Sequence, residues 1–440
     1  MKDNFQEIIS YLIQFLLGEE NSEQANLVGY TSKRENFRKY KVVIYPSDFF
    51  DEGIYLTEKS IPELPLQLWD GIPLLFGKPK IEKEGDTTVI YADVIAGTYF
   101  LVSRYEEVVR RSLRDEHGRF LGRDSLPFRA RFLSRPIVDE YGNRLRKVLA
   151  SSGVSINEPK EEFSKIYLTH DADQVAHYRN FRGVGGAVTR FFRNPYQTFK
   201  ALQTYFLGIE YDPWFTFPWL FDLAFEVKKE LKGIQVENVV FIKSGGGELM
   251  PDKPIHNINS KGFGKLFKLC EEKDVSIGLH PSYQAGAEVE LIALEKKTLE
   301  DVLGQNIIYS RNHFLRSREP EDFYALIEAG LTDDFTMGYA DVAGFRLGTC
   351  RAVRWIDPIK KVLTPLVLHP MTLMDTTLDD DRYMKLRVEE AFSFSKKLID
   401  QVKKYNGELV LLWHNISVEK NNGRYHRDLY QRIVNDLINS

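Results

Sequence analysis

Cysteine is nearly absent from this sequence of 440 residues, which has only Cys270 and Cys350. Two isolated cysteines cannot form the disulfide framework that stabilises many small secreted domains. Neither belongs to a CxxC pair, so the sequence also argues against a thiolate zinc site. The chemistry of any functional site must therefore come from other side chains, above all carboxylates and imidazoles.

Long apolar runs and a strong excess of one charge are missing as well. No segment of about 18 apolar residues occurs, and we therefore predict no membrane-spanning helix. The apolar stretch 8–17 lacks the basic region and the cleavage site of a signal peptide, which predicts a cytoplasmic location. The formal net charge is -4, which does not favour nucleic acid as a partner.

What the sequence does have is an ordinary globular composition, with 43% hydrophobic and 28% charged residues. Its length is sufficient for more than one domain. Residues 1–155 mix helical and strand patterns and predict a small N-terminal α/β domain. Within it, residues 118–135 are rich in Arg, Gly and Pro and predict an excursion over the surface. A polar stretch at 151–162 marks the predicted boundary.

From residue 160 onwards, short apolar runs alternate with amphipathic helical stretches. The predicted strands are 166–168, 239–242, 275–279, 366–368 and 409–413. The predicted helices are 219–231, 262–272, 320–331, 386–404 and 428–438. Alternation of this kind is typical of a parallel sheet, open or closed. We therefore predict a second α/β domain over residues 160–440.

Ionisable residues follow four of these strands. Asp171 and Asp173 follow the first strand, and His280, His369 and His414 follow three others. The C-terminal ends of parallel strands form the active sites of barrels and of open sheets. A carboxylate can bind a metal or accept a proton, and neutral imidazole is a common zinc ligand. One such residue alone is usually a helix cap or a structural histidine, but four strands that end alike favour an active site.

Taken together, these motifs resemble those of the polysaccharide deacetylase family, the NodB-homology domains of carbohydrate esterases. Four segments carry the resemblance, namely Thr169-His-Asp171-Ala-Asp173, Gly278-Leu-His280-Pro, Arg311-Asn-His-Phe and Leu411-Leu-Trp-His414. The resemblance covers residues 160–440 and implies a distorted (β/α) barrel. It also implies a divalent metal, foremost Zn²⁺, held by Asp173 and His280. Asp171 would then be the general base, Arg311 would orient it, and His414 would be the general acid.

The sequence departs from the family pattern at the second metal histidine, where Gln284 stands four residues after His280. An amide oxygen is a weaker zinc ligand than imidazole. Either another residue completes the site, or the metal is weakly bound or absent. The candidates for a replacement ligand are His170, His313 and His369. In the region of the family's fourth motif, the candidates for a further site residue are Asp341, Asp375 and Arg346.

The resemblance implies hydrolysis of an N- or O-acetyl group on an acetylated glycan. Two alternatives stay open, since the metal site departs from the pattern. One is a metal-free hydrolase of a small amide or ureide, and the other is a non-catalytic glycan-binding protein with a degenerate site. Residues 93–107 are similar to the N-terminal domain fused to a bacterial subgroup of these proteins, and the sequence suggests no role for it.

Residues 174–209 form an insertion after the first strand, with five cations and no acidic residue. The cations are Arg179, Arg182, Arg190, Arg193 and Lys200, and aromatic residues are interleaved with them. A solvated helical hairpin fits this pattern. A surface that binds an anionic glycan or an anionic membrane fits it equally well.

Overall fold

The computed structural model describes residues 2–178, 181–189, 192 and 195–439, and it is a mixed α/β protein with three sheets. Its helices are α1 (Lys2–Leu17), α2 (Val94–Val102), α3 (Tyr105–Val109), α4 (Leu126–Arg129), α5 (Ile137–Ser151), α6 (Phe181–Thr189), α7 (Pro195–Leu207), α8 (Phe217–Glu230), α9 (Lys261–Glu272), α10 (Leu291–Leu303), α11 (Phe323–Glu328), α12 (Asp375–Asp379), α13 (Val388–Lys404) and α14 (His426–Asn439). Its strands are β1 (Val28–Tyr30), β2 (Val42–Ile44), β3 (Gln67–Trp69), β4 (Ile72–Leu74), β5 (Gly77–Glu84), β6 (Thr87–Ala92), β7 (Lys165–Asp171), β8 (Gln235–Ile242), β9 (Ser276–Leu279), β10 (Tyr309–Ser310), β11 (Asp333–Asp334), β12 (Val353–Asp357), β13 (Val362–Leu368), β14 (Leu373–Met374) and β15 (Glu408–Leu412). The predicted α/β class is confirmed.

The N-terminal part of the chain contains a four-stranded sheet in the order β1-β2-β6-β5 and the hairpin β3-β4. Strand β2 consists of Val42, Val43 and Ile44, all buried, and it lies in parallel between β1 and β6. The edge strand β5 is rich in Lys and Glu and largely exposed, which protects the edge from pairing with another chain. Helix α2 is buried on all sides because it packs against α1, α5 and strand β12 of the larger sheet.

The large sheet has nine strands in the order β12-β13-β11-β10-β9-β8-β7-β15-β14. Strand β7 lies next to β8 and β15 and is parallel to both, while β12 is antiparallel to its neighbour β13. Each of the five strands and five helices predicted after residue 160 overlaps an observed one. Their apolar and amphipathic periodicity was therefore sufficient to locate them.

The large sheet is strongly curved. His369, which follows β13, bonds to Asp333 of β11 at 2.9 Å and to Glu408 of β15 at 2.7 Å. In the strand order, β15 is five strands away from β11. In a flat sheet the two strands would therefore be about 24 Å apart. Curvature encloses a second apolar cluster, which includes Tyr167, Phe241 and Val410. Closure of the sheet into a distorted (β/α) barrel stays a prediction.

The two parts of the chain share one apolar core. A single cluster of buried side chains contains Leu12 of α1, Ile95 of α2, Leu168 of β7 and Trp355 of β12. The backbone N–H of Arg354 also donates to the Tyr11 hydroxyl at 2.8 Å. The two parts therefore pack continuously, and the division into domains at residues 155–160 stays a prediction.

The prediction of a surface excursion at 118–135 is wrong. Phe120, Leu126 and Phe132 are buried, and the segment includes helix α4. The backbone N–H groups of Gly122 and Arg123 donate to Asp341 at 2.7 and 3.1 Å. The acceptor lies more than 200 positions further along the chain, so the local composition could not reveal it.

The insertion 174–209 contains α6 and α7, which pack against each other. Arg179, Arg190 and Arg193, and the side chain of Arg182, lie outside the described residues, so the predicted basic surface has no structural description. Helix α7 exposes apolar side chains, with Phe199 at 58% and Phe206 at 74% exposure. In the described ranges, no helix combines the length and the hydrophobicity needed to cross a membrane.

Candidate metal centre and active site

The candidate site lies at the C-terminal ends of neighbouring parallel strands. Asp171 is the last residue of β7, and Asp173 follows two residues later. His280 follows β9 directly, and His313 lies three residues beyond β10. Because these strands are parallel and lie close together in one sheet, with β8 between β7 and β9, their ends bring side chains from distant parts of the sequence to one edge.

Asp173, His280 and His313 form a cluster that could hold a metal ion. Asp173 Oδ1 lies 3.3 Å from His280 Nε2 and 3.3 Å from His313 Nδ1. The two ring nitrogens are 3.0 Å apart. Both histidines are buried. The third candidate ligand, His313, is therefore a histidine that follows the next strand along the sheet, β10.

The hydrogen bonds on the far side of each ring determine what faces the centre of this cluster. His280 Nδ1 lies 2.5 Å from the carbonyl oxygen of Arg311, and His313 Nε2 lies 3.0 Å from that of Pro251. A carbonyl only accepts, so each of these nitrogens must carry the hydrogen. A neutral imidazole has only one N–H, which leaves His280 Nε2 and His313 Nδ1 as bare lone pairs.

Three acceptors consequently face one another. Asp173 Oδ1 is buried and has no hydrogen-bond partner, and the two lone pairs are directed at it. Acceptors 3.0–3.3 Å apart repel unless a cation lies among them. The arrangement fits a bound cation.

Asp171 has a different set of partners. Its Oδ1 accepts from Arg311 Nη1 at 2.9 Å. Arg311 is fully buried, stacks over the Phe241 ring at 4.4 Å and donates from Nε to the Phe335 carbonyl. Asp171 Oδ2 lies 3.7 Å from His280 Nε2. The guanidinium therefore fixes one carboxylate oxygen and leaves the other directed towards the cluster.

His414 lies on the other side of the two aspartates, two residues after the end of β15. Its Nδ1 lies 2.8 Å from Asp375 Oδ1, and its backbone N–H donates to Asp375 Oδ2. Burial disfavours the charged ring, but Asp375 outweighs it and raises the pKa of His414 to about 10. His414 Nε2 lies 3.8 Å from Asp173 Oδ2 and 4.0 Å from Asp171 Oδ2. A buried carboxylate therefore holds the ring in position and favours its protonated form.

A cavity of about 400 Å³ opens onto these groups. Asp171, Asp173, His313 and His414 line it. Residues that the sequence analysis did not single out complete its walls, among them Arg119, Trp214, Phe314, Tyr383 and Arg424. All of them lie in loops between helices and strands, where periodicity carries no information about function.

Three of the candidate ligands lie outside the cluster. His170 points to the opposite face of β7, where its Nδ1 meets the Trp413 carbonyl and burial lowers its pKa to about 4. His369 is bound between the carboxylates of Asp333 and Glu408. The Gln284 side chain donates to Glu288 at 3.1 Å.

The fourth-motif candidates separate in the structure. Asp375 orients His414, whereas Asp341 and Arg346 bind the N-terminal part of the chain. Arg346 donates to both carboxylate oxygens of Glu107 at 2.8 Å. Asp341 accepts from the backbone of Gly122 and Arg123. These partners lie within the first 150 residues, in the segment without a predicted role, and Arg346 donates in addition to the Gly338 carbonyl at 2.8 Å.

Comparisons with known proteins cover the chain only in part. The model of a family of unknown function, DUF7033, matches residues 1–153. No curated protein matches the chain in sequence. Among solved structures, a "putative polysaccharide deacetylase" from Mycobacterium smegmatis is 12% identical, with a TM-score of 0.40 over 63% of this chain and 86% of that one. A likeness this distant does not assign the chain to that protein's family.

Proposed function

We propose that the protein is a metal-dependent hydrolase of the polysaccharide deacetylase type, with the barrel that this family implies, and that it removes an N- or O-acetyl group from a glycan. The observation that carries the proposal is the set of three facing acceptors, Asp173 Oδ1, His280 Nε2 and His313 Nδ1. A cluster that could hold a cation favours this function over a metal-free hydrolase.

Zn²⁺ is the proposed ion. Nitrogen and oxygen ligands from two histidines and one carboxylate suit catalytic zinc. An ion about 2.0–2.1 Å from each ligand in a tetrahedron separates the ligand atoms by about 3.3 Å. The three separations are 3.0, 3.3 and 3.3 Å. Zn²⁺ bound here would polarise an acyl carbonyl and lower the pKa of a bound water.

The protein's own groups supply the proton transfers. Asp171 Oδ2 is the general base that accepts a proton from the attacking water, while Arg311 holds Oδ1 in place. His414 donates a proton from Nε2 to the leaving amine or alkoxide, and Asp375 holds its ring. The proton acceptor and the proton donor face the same cavity at a separation of 4.0 Å.

The cavity supports a carbohydrate substrate. Its volume of about 400 Å³ lies within the usual range for small-molecule sites, about 300–1,000 Å³. Trp214, Phe314 and Tyr383 contribute aromatic rings to the walls. The flat faces of aromatic rings suit packing against the C–H groups on the faces of sugar rings.

Acetate release from acetylated oligosaccharides, measured with and without chelator, tests the proposal. We expect one equivalent of zinc per chain, acetate release that stops on chelation, and recovery when Zn²⁺ is added back. Release that survives complete metal removal would favour the metal-free hydrolase instead. Stoichiometric zinc and glycan binding without any acetate release would indicate a glycan-binding protein.

A further inference from the structure

A tight turn from the N-terminal part of the chain, residues 115–119, packs against the loop that carries His313. The turn closes on itself, since Asp115 Oδ1 accepts from the backbone of His117 and Arg119. Arg316 Nε donates to the carbonyl of His117 at 2.8 Å, which joins the turn to the loop. The ring of His117 also contacts Phe314.

The loop that receives this turn has an unusual backbone. Phe314 has φ 62° and ψ 15°, and Leu315 follows with φ 51°. Left-handed backbone conformations are unfavourable for residues other than glycine, so they persist only where neighbouring groups hold them. His313 immediately precedes these two residues, and all three line the cavity.

Arg119 makes the polar contact that holds this backbone from the N-terminal side. Its Nη1 donates to the Phe314 carbonyl at 3.1 Å and its Nη2 to the Tyr383 hydroxyl at 3.3 Å. Asp115 fixes the other edge of the guanidinium through Nε at 2.9 Å. Arg119 is only 7% exposed, so its three partners are fixed as well.

We propose that Arg119 is a positioning residue for the metal centre, and that it holds the left-handed turn at Phe314 so that His313 Nδ1 faces Asp173 and His280. This rests on the proposed function in so far as those three residues hold a metal. It gives the N-terminal segment a role: that segment supplies one wall of the active site and fixes one of its ligands.

Zinc affinity of the full-length protein tests this proposal without any substrate. The protein is stripped with chelator, and Zn²⁺ is titrated back in competition with a chromophoric chelator. Partners that orient a metal ligand typically contribute about 10–100-fold in affinity. We expect Arg119→Gln to weaken Zn²⁺ binding by this factor, and Arg119→Lys to weaken it less because the charge is kept.

Arg146→Gln is the matched control. Arg146 is 5% exposed and also donates to a backbone carbonyl, that of Leu16 at 2.9 Å, but it lies away from the cavity. We expect it to lower thermal stability as Arg119→Gln does while leaving zinc affinity within twofold of wild type. Equal loss of affinity in both variants would mean general destabilisation and would overturn the proposal.

A double-mutant cycle identifies the residue through which Arg119 acts. If Arg119 acts through His313, then Arg119→Gln adds little to the loss of zinc affinity caused by His313→Ala.

Additive losses in this cycle would refute the proposal. An Arg119→Gln protein that binds Zn²⁺ like wild type would also refute it, as would a wild type that binds no Zn²⁺. Should Arg119→Gln fail to fold, unchanged affinity in Arg119→Lys refutes it equally. If zinc binding responds as expected but no acetate is released, the proposed function fails and this inference stands.

Discussion

Asp171 and Asp173 are two residues apart, yet their environments suit different tasks. Arg311 donates to Asp171 Oδ1, whereas Asp173 Oδ1 meets only the lone pairs of two histidines. A carboxylate oriented by a buried cation is suited to accept a proton, and a carboxylate facing bare imidazoles is suited to bind a metal. The partners, rather than the Asp-x-Asp spacing, distinguish the two.

Replacing Asp171 by Asn tests its proposed role as a base. We expect acetate release to fall by about 10²–10⁴-fold, which is the usual contribution of general base catalysis. Zinc stoichiometry should not change, because Asp171 is not in the ligand set. The amide leaves the charge of the buried Arg311 less compensated, so a lower melting temperature is also expected. Activity within a few-fold of wild type would remove Asp171 from the role of base.

His313→Ala and Gln284→Ala distinguish the two candidates for the third metal ligand. His313 Nδ1 faces Asp173 Oδ1 at 3.3 Å, whereas the Gln284 side chain bonds to Glu288. We expect His313→Ala to reduce zinc occupancy to substoichiometric levels after dialysis, and Gln284→Ala to retain one equivalent. The opposite result would return Gln284 to the ligand set.

The site could be predicted from the sequence where a residue lies at, or within two residues of, the end of an apolar strand of at least four residues. Asp171, Asp173, His280 and His414 all meet this condition, and the structure brings them together. His313 and Asp375 follow β10 and β14, which have two residues each and leave no periodic pattern. Gln284 was a candidate ligand because of its spacing from His280, but this spacing does not determine the direction of its side chain, which donates to Glu288.

At the scale of strands and helices, the His369 bridge between β11 and β15 couples the curvature of the sheet to pH. Burial disfavours its charge, but bonds to Asp333 and Glu408 outweigh this and raise its pKa to about 9. The folded state keeps a proton on His369 that the unfolded state releases above about pH 6.5. The stabilisation that His369 contributes is therefore fully present below pH 6.5 and is lost as pH rises towards 9. The difference between the pKa values of His369 in the unfolded and the folded state corresponds to about 3 kcal/mol of stability.

Urea unfolding at a series of pH values between 6 and 9.5 measures this dependence. We expect the free energy of unfolding of the wild type to decline over that interval. His369→Gln should be less stable at pH 6.5 and should show a much flatter profile. A variant with the same slope as wild type would show that other groups dominate the titration.

Helix α7 belongs to the insertion 174–209, for which we predict binding to an anionic membrane surface. Its exposed Phe199 and Phe206, together with five cations and no acidic residue in the sequence, suit an anionic membrane surface. We expect cosedimentation with vesicles containing phosphatidylserine, and weaker binding at high salt. The variant Phe199→Ser/Phe206→Ser should lose binding, and Phe225→Ser, equally exposed on α8, should keep it. Binding to acidic polysaccharide alone would indicate a glycan surface instead.

Across the whole molecule, buried ion pairs join the N-terminal segment to the rest of the chain. Glu107 accepts from Arg104 at 2.6 Å and from Arg346 at 2.8 Å, and all three side chains are buried. Despite the opposing effect of burial, the two guanidinium groups lower the pKa of Glu107 to about 2. These contacts and the shared core make the packing of the two parts continuous. They join residues that are far apart in the sequence, so composition alone could not reveal them and suggested two domains.

Glu107→Gln tests whether the two parts unfold together. Removing one partner of a buried ionic network costs about 3–5 kcal/mol. We expect one cooperative urea transition, shifted to lower concentration for fluorescence and circular dichroism alike. Glu389→Gln, which breaks an exposed pair with Arg432, should leave the transition unchanged. Two separate transitions, with only one of them shifted, would support independent domains.

The strand order also determines when each part of the site can form during synthesis. Strand β7 pairs on one side with β8, but its other edge waits for β15, which begins at Glu408. At about 5–20 residues per second, this delay lasts roughly ten to fifty seconds. An unpaired edge is a template for wrong pairing during that time. Asp173, His280 and His313 have all emerged by then, whereas His414 arrives with the strand that covers the edge. The nascent chain can therefore assemble its proposed metal ligands while the sheet is still open, but it gains its proposed proton donor only when β15 joins the sheet.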